Sequence, residues 1–541
     1  MSVRRMLMSV VVALVLAGVG AGSAWAAPAL PFVTPVADVM NDGRSLTATT
    51  VLANGKVLIV GGMSQAIGGG PSDTATLFDP GSDPVNGTFT SLGDSGDTRV
   101  SGFAAQLSDG RVLLGGGFGG AGLATFDSAA GTFAPFTLGG LAVARPNGAA
   151  TAPLPGGTLL IAGGAPDGQS SAEVFDPATN GFTLLGATPT EQRWDTRAAA
   201  LSDGRVLIAG GSYAGALDTA EIYDPVAGTF SGLPAKLSTA RHAPAVTALP
   251  DGKVLVVGGS DGAGCGGTQL TSADVFDPRD QTFHPLGVDL GTPRCGASAV
   301  TLENGTVLIV GGFTGFAWTA TAELLTPAPS AVVKGGSFDA ADVGKASPEQ
   351  TIEVRNLGAQ DLVIGTGLTP TGDHPGDFAV SANTCSGVTL AFKEACTLKV
   401  TFTPGAAGAR TARIELPTNE PTPGSVTLSG TGTAPGITKA PGSTTPLPPS
   451  VTTPTSAGKP AGGVKRITCT RKRVRGRTRI TCTVKLTKPR AAKVTLQRGK
   501  VVFARGRVTK GGRVTLTTAL KPRPGTYTLR IGATKITIRL R

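Results

Sequence analysis

Six copies of one short pattern dominate this chain. Each copy has a turn of small polar residues, an aliphatic run that ends in Gly-Gly, and further on an Asp-Pro or a remnant of it. The aliphatic runs with their glycines are residues 56–62, 111–117, 158–164, 205–211, 253–259 and 306–312. Their last glycines are 55, 47, 47, 48 and 53 residues apart. This period, in a chain with 118 Gly and Pro, predicts repeated units of short strands rather than helical repeats.

The fourth repeat shows how one unit reads as four strands. Residues 198–201 precede a Ser-Asp-Gly turn, and the aliphatic residues 205–209 follow it, as in a hairpin whose second strand is buried on both faces. A third strand at 220–223 ends at an Asp-Pro, since proline removes a donor from the ladder. Phe230 then marks a fourth strand.

This pattern resembles the kelch-repeat β-propeller family over about residues 31–330, in particular a galactose-oxidase-like central domain without its copper site. The resemblance implies an all-β fold with six blades. The chain departs from the family in having Phe where Trp is usual in the fourth strand. The sixth repeat ends near residues 323–327 without a fourth strand. We predict that residues 31–36 supply it and close the ring, which removes two exposed sheet edges.

One arginine precedes the first strand of every repeat. In propellers of this kind that strand begins on the face where the loops after Gly-Gly emerge. The functional interpretation is a ring of guanidinium groups around the channel mouth that binds carboxylates, sulfates or phosphates. The alternative is structural, with ion pairs between blades to the acids Glu173, Glu221, Asp274 and Glu323. The arginines are Arg44, Arg99, Arg145, Arg197, Arg241 and Arg294.

The loops after Gly-Gly differ between repeats, and specificity is expected there. Trp194, Tyr213, Phe316 and Trp318 are candidate platforms for a sugar or peptide. The alternative for each ring is packing beneath its own loop.

The resemblance also raises copper oxidase chemistry, which needs two His and two Tyr ligands. The propeller segment contains only His242, His284, Tyr213 and Tyr223, and of these His284 and Tyr223 fall in blade strands. No nucleophile–base pair is apparent either. We therefore expect no enzyme activity, cofactor or metal, with a propeller oxidase or hydrolase as the alternative.

Residues 331–434 differ in sequence pattern from the repeats before them. Alternating strands with Cys385 and Cys396 among them resemble a choice-of-anchor D module, an immunoglobulin-like β-sandwich common in exported bacterial proteins. That family implies a spacer or adhesion unit.

The last two segments differ sharply in composition. Residues 435–463 are rich in Pro, Thr, Ser and Gly and predict an extended linker. Residues 464–541 carry 24 Lys or Arg and no acid, in alternating strands that predict a small basic β domain. Residues 27–463 carry 36 acids against 22 basic residues.

Charge of one sign attracts polyanions. For an exported protein we expect anionic cell-wall polymers or a membrane surface as partners of residues 464–541. Nucleic acid is the weaker alternative, because Phe503 and Tyr527 are the segment's only aromatic residues. A third interpretation is that the charge only keeps the domain soluble.

Two features predict export: the pattern of the first 26 residues and the cysteine pairs. Residues 1–26 have two arginines, an apolar stretch and an Ala-Trp-Ala cleavage pattern, as in a signal peptide. The six cysteines fall into local pairs that predict disulfides, with locality as the only argument for connectivity. The pairs are Cys265 with Cys295, Cys385 with Cys396, and Cys469 with Cys482. The leading function is secreted, non-catalytic binding or adhesion to an extracellular glycan or protein.

Overall fold

The computed structural model describes residues 27–118, 122–166 and 170–434 with their side chains, and strand backbones between residues 464 and 540. The predicted signal peptide and the linker at 435–463 lie outside the described residues. Among the described residues, no helix is long and apolar enough to cross a membrane.

Six four-stranded antiparallel sheets form the first part of the chain. Sheet 1 consists of Ala48–Val51, Val57–Val60, Thr74–Asp79 and Thr88–Asp94, and sheet 2 of Phe103–Gln106, Arg111–Gly115, Ala124–Asp127 and Thr132–Pro135. Sheet 3 consists of Ala150–Pro153, Leu159–Ala162, Ala172–Asp176 and Gly181–Leu184, and sheet 4 of Arg197–Ala200, Val206–Ala209, Ala220–Asp224 and Thr229–Gly232. Sheet 5 consists of Ala245–Ala248, Val254–Val257, Ala273–Asp277 and Thr282–Pro285, and sheet 6 of Ser298–Thr301, Val307–Val310, Ala322–Thr326 and Phe32–Pro35.

The sheets pack face to face in a closed ring. The second strand of each is almost completely buried, which explains its aliphatic run. One core cluster joins Leu207 of sheet 4 to Val254 and Phe276 of sheet 5. Another joins sheet 6 to sheet 1, so the last sheet contacts the first.

The N-terminal strand completes sheet 6, as the sequence predicts. Phe32–Pro35 pairs antiparallel with Ala322–Thr326, with Val33 opposite Leu325. In the other sheets a Phe of the fourth strand packs on an aromatic residue of the third, for example Phe182 on Phe175 with ring centroids 4.7 Å apart. These Phe pairs take the place of the usual Trp.

Short elements decorate the ring. A small sheet is formed by Arg44–Ser45, Met63–Ser64 and Gly70–Pro71. Short 3-10 helices lie at Pro84–Asn86 and Ala263–Cys265, and a third at Pro375–Asp377 in the next part of the chain.

Two further four-stranded sheets share one core between residues 331 and 433. One contains Ala331–Lys334, Gln350–Asn356, Ala395–Phe402 and Phe378–Asn383; the other contains Ala341–Asp342, Ser425–Thr433, Gly408–Glu415 and Pro370–Thr371; Leu362–Val363 pairs with Thr389–Leu390. Ile352, Phe402 and Leu428 lie in the core. The predicted Cys385–Cys396 disulfide is present.

These two sheets contact the ring at the ends of sheets 5 and 6 that lie away from the Gly-Gly turns. Ser330 Oγ donates to Asp251 Oδ2 at 3.0 Å, and Lys393 Nζ donates to the carbonyl of Glu303 at 2.8 Å. The ring of Phe392 covers Gly305, so that a Cβ there would lie 2.9 Å from it. The first described residues also contact these two sheets, because the amide of Ala29 donates to the carbonyl of Asn419.

The basic segment forms a separate compact unit with one seven-stranded sheet. In sheet order its strands are Val464–Val474, Arg477–Leu486, Arg513–Thr517, Val501–Val508, Ala492–Arg498, Gly525–Ile531 and Thr534–Leu540. The register places Cys469 opposite Cys482. The predicted disulfide between them lies outside the described side chains.

Candidate binding face and central channel

The Gly-Gly turns create one face of the ring, which we call the Gly-Gly face. Each turn follows the second strand and lies against the segment that leads into a first strand. Both glycines of the fourth repeat have positive φ, 62° at Gly210 and 94° at Gly211. A Cβ on Gly211 would lie 2.6 Å from the carbonyl oxygen of Trp194. Glycine is therefore required by the close approach of two backbones.

One buried arginine lies behind each of these turns, and we call it the brace. In sheets 3 to 6 it donates to a carbonyl of the Gly-Gly turn and to an acid of the third strand. Arg145 donates from Nε and Nη2 to Glu173 at 3.0 and 2.8 Å, and from Nη1 to the carbonyls of Gly163 and Ser171. The arginine and the glutamate are both fully buried. The carboxylate also accepts from the amide of Ala142. One ion pair thus joins the entering segment, the Gly-Gly turn and the third strand.

The same brace recurs in four sheets. The other pairs are Arg193 with Glu221, Arg241 with Asp274, and Arg294 with Glu323. Sheets 1 and 2 have threonine at the position of the acid. There Arg44 donates to Thr76 Oγ1 and to the carbonyl of Thr74, and Arg99 donates to the carbonyl of Gly122.

These contacts correct the predicted guanidinium ring. Five of its members are buried and bonded within their own repeats, so they do not line the channel mouth: Arg44, Arg99, Arg145, Arg241 and Arg294. The alternative interpretation, in which the arginines form structural ion pairs, agrees better with these contacts, although the pairs lie elsewhere than expected. All four acids that it named have arginine partners, but each pair lies within one repeat rather than between blades.

Sheet 4 departs from the pattern because it has two arginines. Arg193, which is not one of the six predicted arginines, forms the brace. Arg197 lies four residues later, in the first strand opposite Ala209. It is half-buried and lines the central channel.

The channel is a cavity of about 430 Å³ lined by the first strands of all six sheets. Its wall consists mainly of Ala and Thr, with Gln106 and Arg197 as the largest polar side chains. Among the described lining residues, Arg197 is the one with a charge. This volume lies within the range of small-ligand sites.

A belt of backbone hydrogen bonds surrounds the channel on the Gly-Gly face. The second residue after the brace arginine has positive φ in five repeats, namely Leu46, Ser101, Asp195, Ala243 and Gly296. The amide of Asp195 donates to the carbonyl of Asn147 in the neighbouring repeat, and equivalent bonds join three other pairs of repeats. Left-handed backbone at non-glycine residues persists only where such contacts hold it.

The belt brings together polar residues that sequence reasoning did not group. Ser212 Oγ lies 2.8 Å from His242 Nδ1, and Asp195 Oδ2 lies 3.8 Å from His242 Nε2. Burial lowers the pKa of His242, with Arg197 acting in the same direction and Asp195 opposing it. The order of these groups resembles nucleophile, base and acid, but Ser212 is only 4% exposed.

The predicted Cys265–Cys295 disulfide is present beside this group. It joins the loop after the fifth Gly-Gly to the segment entering sheet 6. His242 and the two sulfurs lie within 4.8 Å of one another, the spacing of a metal site. The sulfurs are bonded to each other, however, and thiolates are the form that binds a metal.

Aromatic and aliphatic side chains are exposed on the Gly-Gly face, and we call this set the rim. It consists of Ile67, Phe118, Tyr213 and Phe316, exposed by 55%, 65%, 44% and 98%. Of the predicted platforms, Tyr213 and Phe316 are thus exposed. Trp194 is half-buried against Tyr213 and donates to the carbonyl of Ala165 at 3.1 Å, and Trp318 is half-buried against Phe313.

The four candidate copper ligands lie in different places. Tyr223 is buried and packs on Phe230, and His284 is exposed on the outer strand of sheet 5. His242 and Tyr213 lie on the Gly-Gly face. The structure therefore does not bring these four side chains together.

Comparison with known proteins gives two matches to family models. A model described as Kelch motif matches residues 241–287, which contain Arg241, Asp274 and all four strands of sheet 5. A model described as HYDIN/CFA65/VesB-like, Ig-like domain matches residues 337–433. No curated protein matches the chain. A solved structure titled "Structure of YjhT" matches with a TM-score of 0.44 and 14% identity, covering 53% of this chain and 96% of that chain.

The chain thus contains a kelch motif within a β-propeller and an Ig-like domain, both all-β. Such parts indicate a binding or structural role. The Ig-like match carries a different family description from choice-of-anchor D, and that assignment and the galactose-oxidase-like one stay predictions.

Proposed function

We propose that this chain is a secreted, non-catalytic binding or adhesion protein. In this proposal a six-bladed kelch-like propeller binds an extracellular glycan through its Gly-Gly face, and an Ig-like sandwich of choice-of-anchor D type acts as a spacer. A linker then leads to a basic domain that holds anionic envelope polymers. The observation that carries the proposal is the rim of exposed apolar side chains around the central channel.

The rim supports a glycan as ligand. Exposed aromatic residues around a channel that contains threonine, glutamine and arginine side chains offer flat apolar surfaces with hydrogen-bonding groups close by, which suits sugars. The rim residues come from different repeats, whereas a buried arginine recurs in all six repeats and its acid partner in four of them. Recurrence explains the braces as parts of the fold and leaves the rim for recognition.

The test is a glycan array with the full mature chain, residues 27–541, followed by titration calorimetry on the best ligand. Tyr213→Ala and Phe316→Ala should each weaken binding by about 5- to 30-fold, the effect of losing one aromatic contact of about 1–2 kcal/mol. Val226→Ala is the control, because Val226 is 76% exposed in a turn at the opposite end of the ring. Unchanged affinity in both aromatic variants would refute the rim as the binding surface.

The basic sheet supports the second part of the proposal. Its register produces a row with one residue from each strand, on the same face of the sheet: Lys472, Arg479, Thr517, Arg505, Thr495, Arg530 and Lys535. Five of the seven are cationic, and the row is about 29 Å long at about 4.8 Å per strand. Like charges directly opposite each other destabilise a sheet, and a bound polyanion would remove that cost.

The test is retention of the protein on cells that export it. High salt should release the protein, and deletion of residues 464–541 should shift it to the medium. Arg505→Gln with Arg530→Gln should weaken retention more than Arg471→Gln with Arg473→Gln, because the register places the second pair on the opposite face. Retention that survives both salt and deletion rules the proposal out, and DNA binding of equal strength would favour nucleic acid instead.

The second candidate function is a propeller enzyme, and the arrangement of Ser212, His242 and Asp195 is the observation that favours it. Purified protein can be assayed for bound copper, for peroxide release from sugar substrates and for labelling by a serine-reactive phosphonate. Stoichiometric copper with peroxide release, or labelling that Ser212→Ala removes, would replace the binding proposal.

A further inference from the structure

The second arginine of sheet 4 has no counterpart in the other repeats. The first strand of each sheet begins opposite the residue that precedes Gly-Gly, and Arg197 occupies that position in sheet 4. The equivalent residues are Ala48, Phe103, Ala150, Ala245 and Ser298. Since Arg193 already forms the brace, the fold does not require an arginine at position 197.

The contacts of Arg197 leave most of its hydrogen-bonding capacity unused. Among the described residues its one hydrogen bond is from Nη1 to the carbonyl of Thr196 at 3.1 Å, and no carboxylate lies within 4 Å. A guanidinium has five N–H donors. Burial lowers the pKa of Arg197, and Asp195 opposes the shift. A partly buried cation with few partners is costly unless an anion binds to it.

A polar acceptor lies close to Arg197 along the chain. Asp195 Oδ1 is buried and has no hydrogen-bond partner among the described residues. Its other oxygen faces His242. Asp195 is not among the residues that line the channel, so the group that the channel offers to an anion is the guanidinium fork of Arg197.

We propose that the channel binds the anionic group of an acidic glycan, with Arg197 as the residue that holds its carboxylate or sulfate. The cavity of about 430 Å³ accommodates the charged sugar, and the rim contacts the rest of the chain. This inference rests on the proposed glycan-binding function and narrows its ligand.

The test compares three ligands by titration calorimetry with the full mature chain. They are trigalacturonic acid, the same trisaccharide as its methyl ester, and a sulfated galactose trisaccharide. We expect the acid or the sulfated sugar to bind about 10- to 100-fold more tightly than the ester, the effect of hydrogen bonds to charged groups. Whichever binds more tightly identifies the source of the charge.

Variants locate the effect. Arg197→Gln should reduce the preference for the charged ligand to about 1, and Arg197→Lys should restore part of it, because lysine keeps the charge without the planar fork. Arg205→Gln is the control, since Arg205 pairs with Asp203 in a turn away from the Gly-Gly face. Thermal unfolding of each variant establishes that it is folded.

The outcomes are distinct. If the ester binds as tightly as the charged ligands, or Arg197→Gln keeps the preference, this inference fails while glycan binding stands. If none of the three ligands nor any glycan on the array binds, the proposed function fails with it.

Discussion

At the scale of single residues, identical side chains in this protein have different roles. Arg145 is completely buried between Glu173 and backbone carbonyls, whereas Arg197 lines the channel with one hydrogen bond among the described residues. Arg145 has an acid of the third strand as its partner. In sheet 4 that acid, Glu221, already pairs with Arg193, so Arg197 is left without one.

Removing the charge of a brace arginine should destabilise the propeller. Arg145→Met leaves Glu173 buried without its partner, and we expect a loss of about 3–5 kcal/mol in the free energy of unfolding. Arg111→Met is the control, because Arg111 pairs with Asp109 at the surface, where such pairs contribute about 0–1 kcal/mol. Urea unfolding of both variants measures the difference. Equal losses would mean that the brace is not a stabilising contact.

His242 should make stability depend on pH. Its folded-state pKa is lowered by burial, so the unfolded chain binds a proton more readily and stability falls as pH decreases below about 6.5. The groups that face it are Asp195, Arg197, Ser212 and the Cys265–Cys295 disulfide. Each unit of pKa shift corresponds to about 1.4 kcal/mol.

The measurement is the free energy of unfolding between pH 5 and pH 7.5. His242→Gln should flatten the dependence in that range, while His284→Gln, on the exposed outer strand of sheet 5, serves as the control. A dependence that persists in His242→Gln would assign it to other groups.

At the scale of elements, one strand closes the ring. Phe32–Pro35 belongs to sheet 6 although it comes from the other end of the propeller sequence. Without it, Ala322–Thr326 becomes an edge with unpaired backbone groups, and exposed edges lead to self-association.

Deleting residues 27–36 should therefore lower the melting temperature and cause oligomers to form. Deleting residues 27–31 is the matched control, because it keeps the strand and removes only the contacts of Ala29 and Leu30 with the Ig-like domain. Calorimetry and analytical ultracentrifugation report the two effects. A monomeric 37–541 chain with an unchanged melting temperature would show that closure does not depend on this strand.

At the scale of the whole molecule, the propeller and the Ig-like domain are joined by more than the chain. The contacts of Ser330, Lys393 and Phe392 lie at the ends of sheets 5 and 6 away from the Gly-Gly face. Within residues 27–434, the Ig-like domain therefore lies away from the Gly-Gly face, the proposed binding surface.

The junction should resist proteolysis as long as these contacts persist. Phe392→Ala removes the ring that covers Gly305, and we expect faster cleavage between residues 326 and 331 by a nonspecific protease. Phe316→Ala, on the Gly-Gly face, should not change the rate. Mass spectrometry of the fragments identifies the site, and equal cleavage rates would contradict a stable junction.

The periodic features of this protein were readable from its amino acids. Aliphatic runs, Gly-Gly turns and local cysteine pairs are properties of neighbouring residues, so they predicted the strands, the completion of sheet 6 by Phe32–Pro35 and two disulfides that the structure contains. The choice between Arg193 and Arg197 could not be made in this way. Arg193 precedes the first strand of sheet 4 and Arg197 begins it. Only the ion pair of Arg193 with Glu221 distinguishes the two.

The channel entrance also depended on three-dimensional packing. Asp195, Ser212 and His242 come from separate turns and meet because left-handed backbone and hydrogen bonds between repeats draw those turns together. Local patterns specify which residues form strands, since hydrophobic alternation and turn chemistry act over a few residues. Burial and charge pairing are set by residues far apart in the chain, and for that reason the folded ring determined which arginine faces the channel.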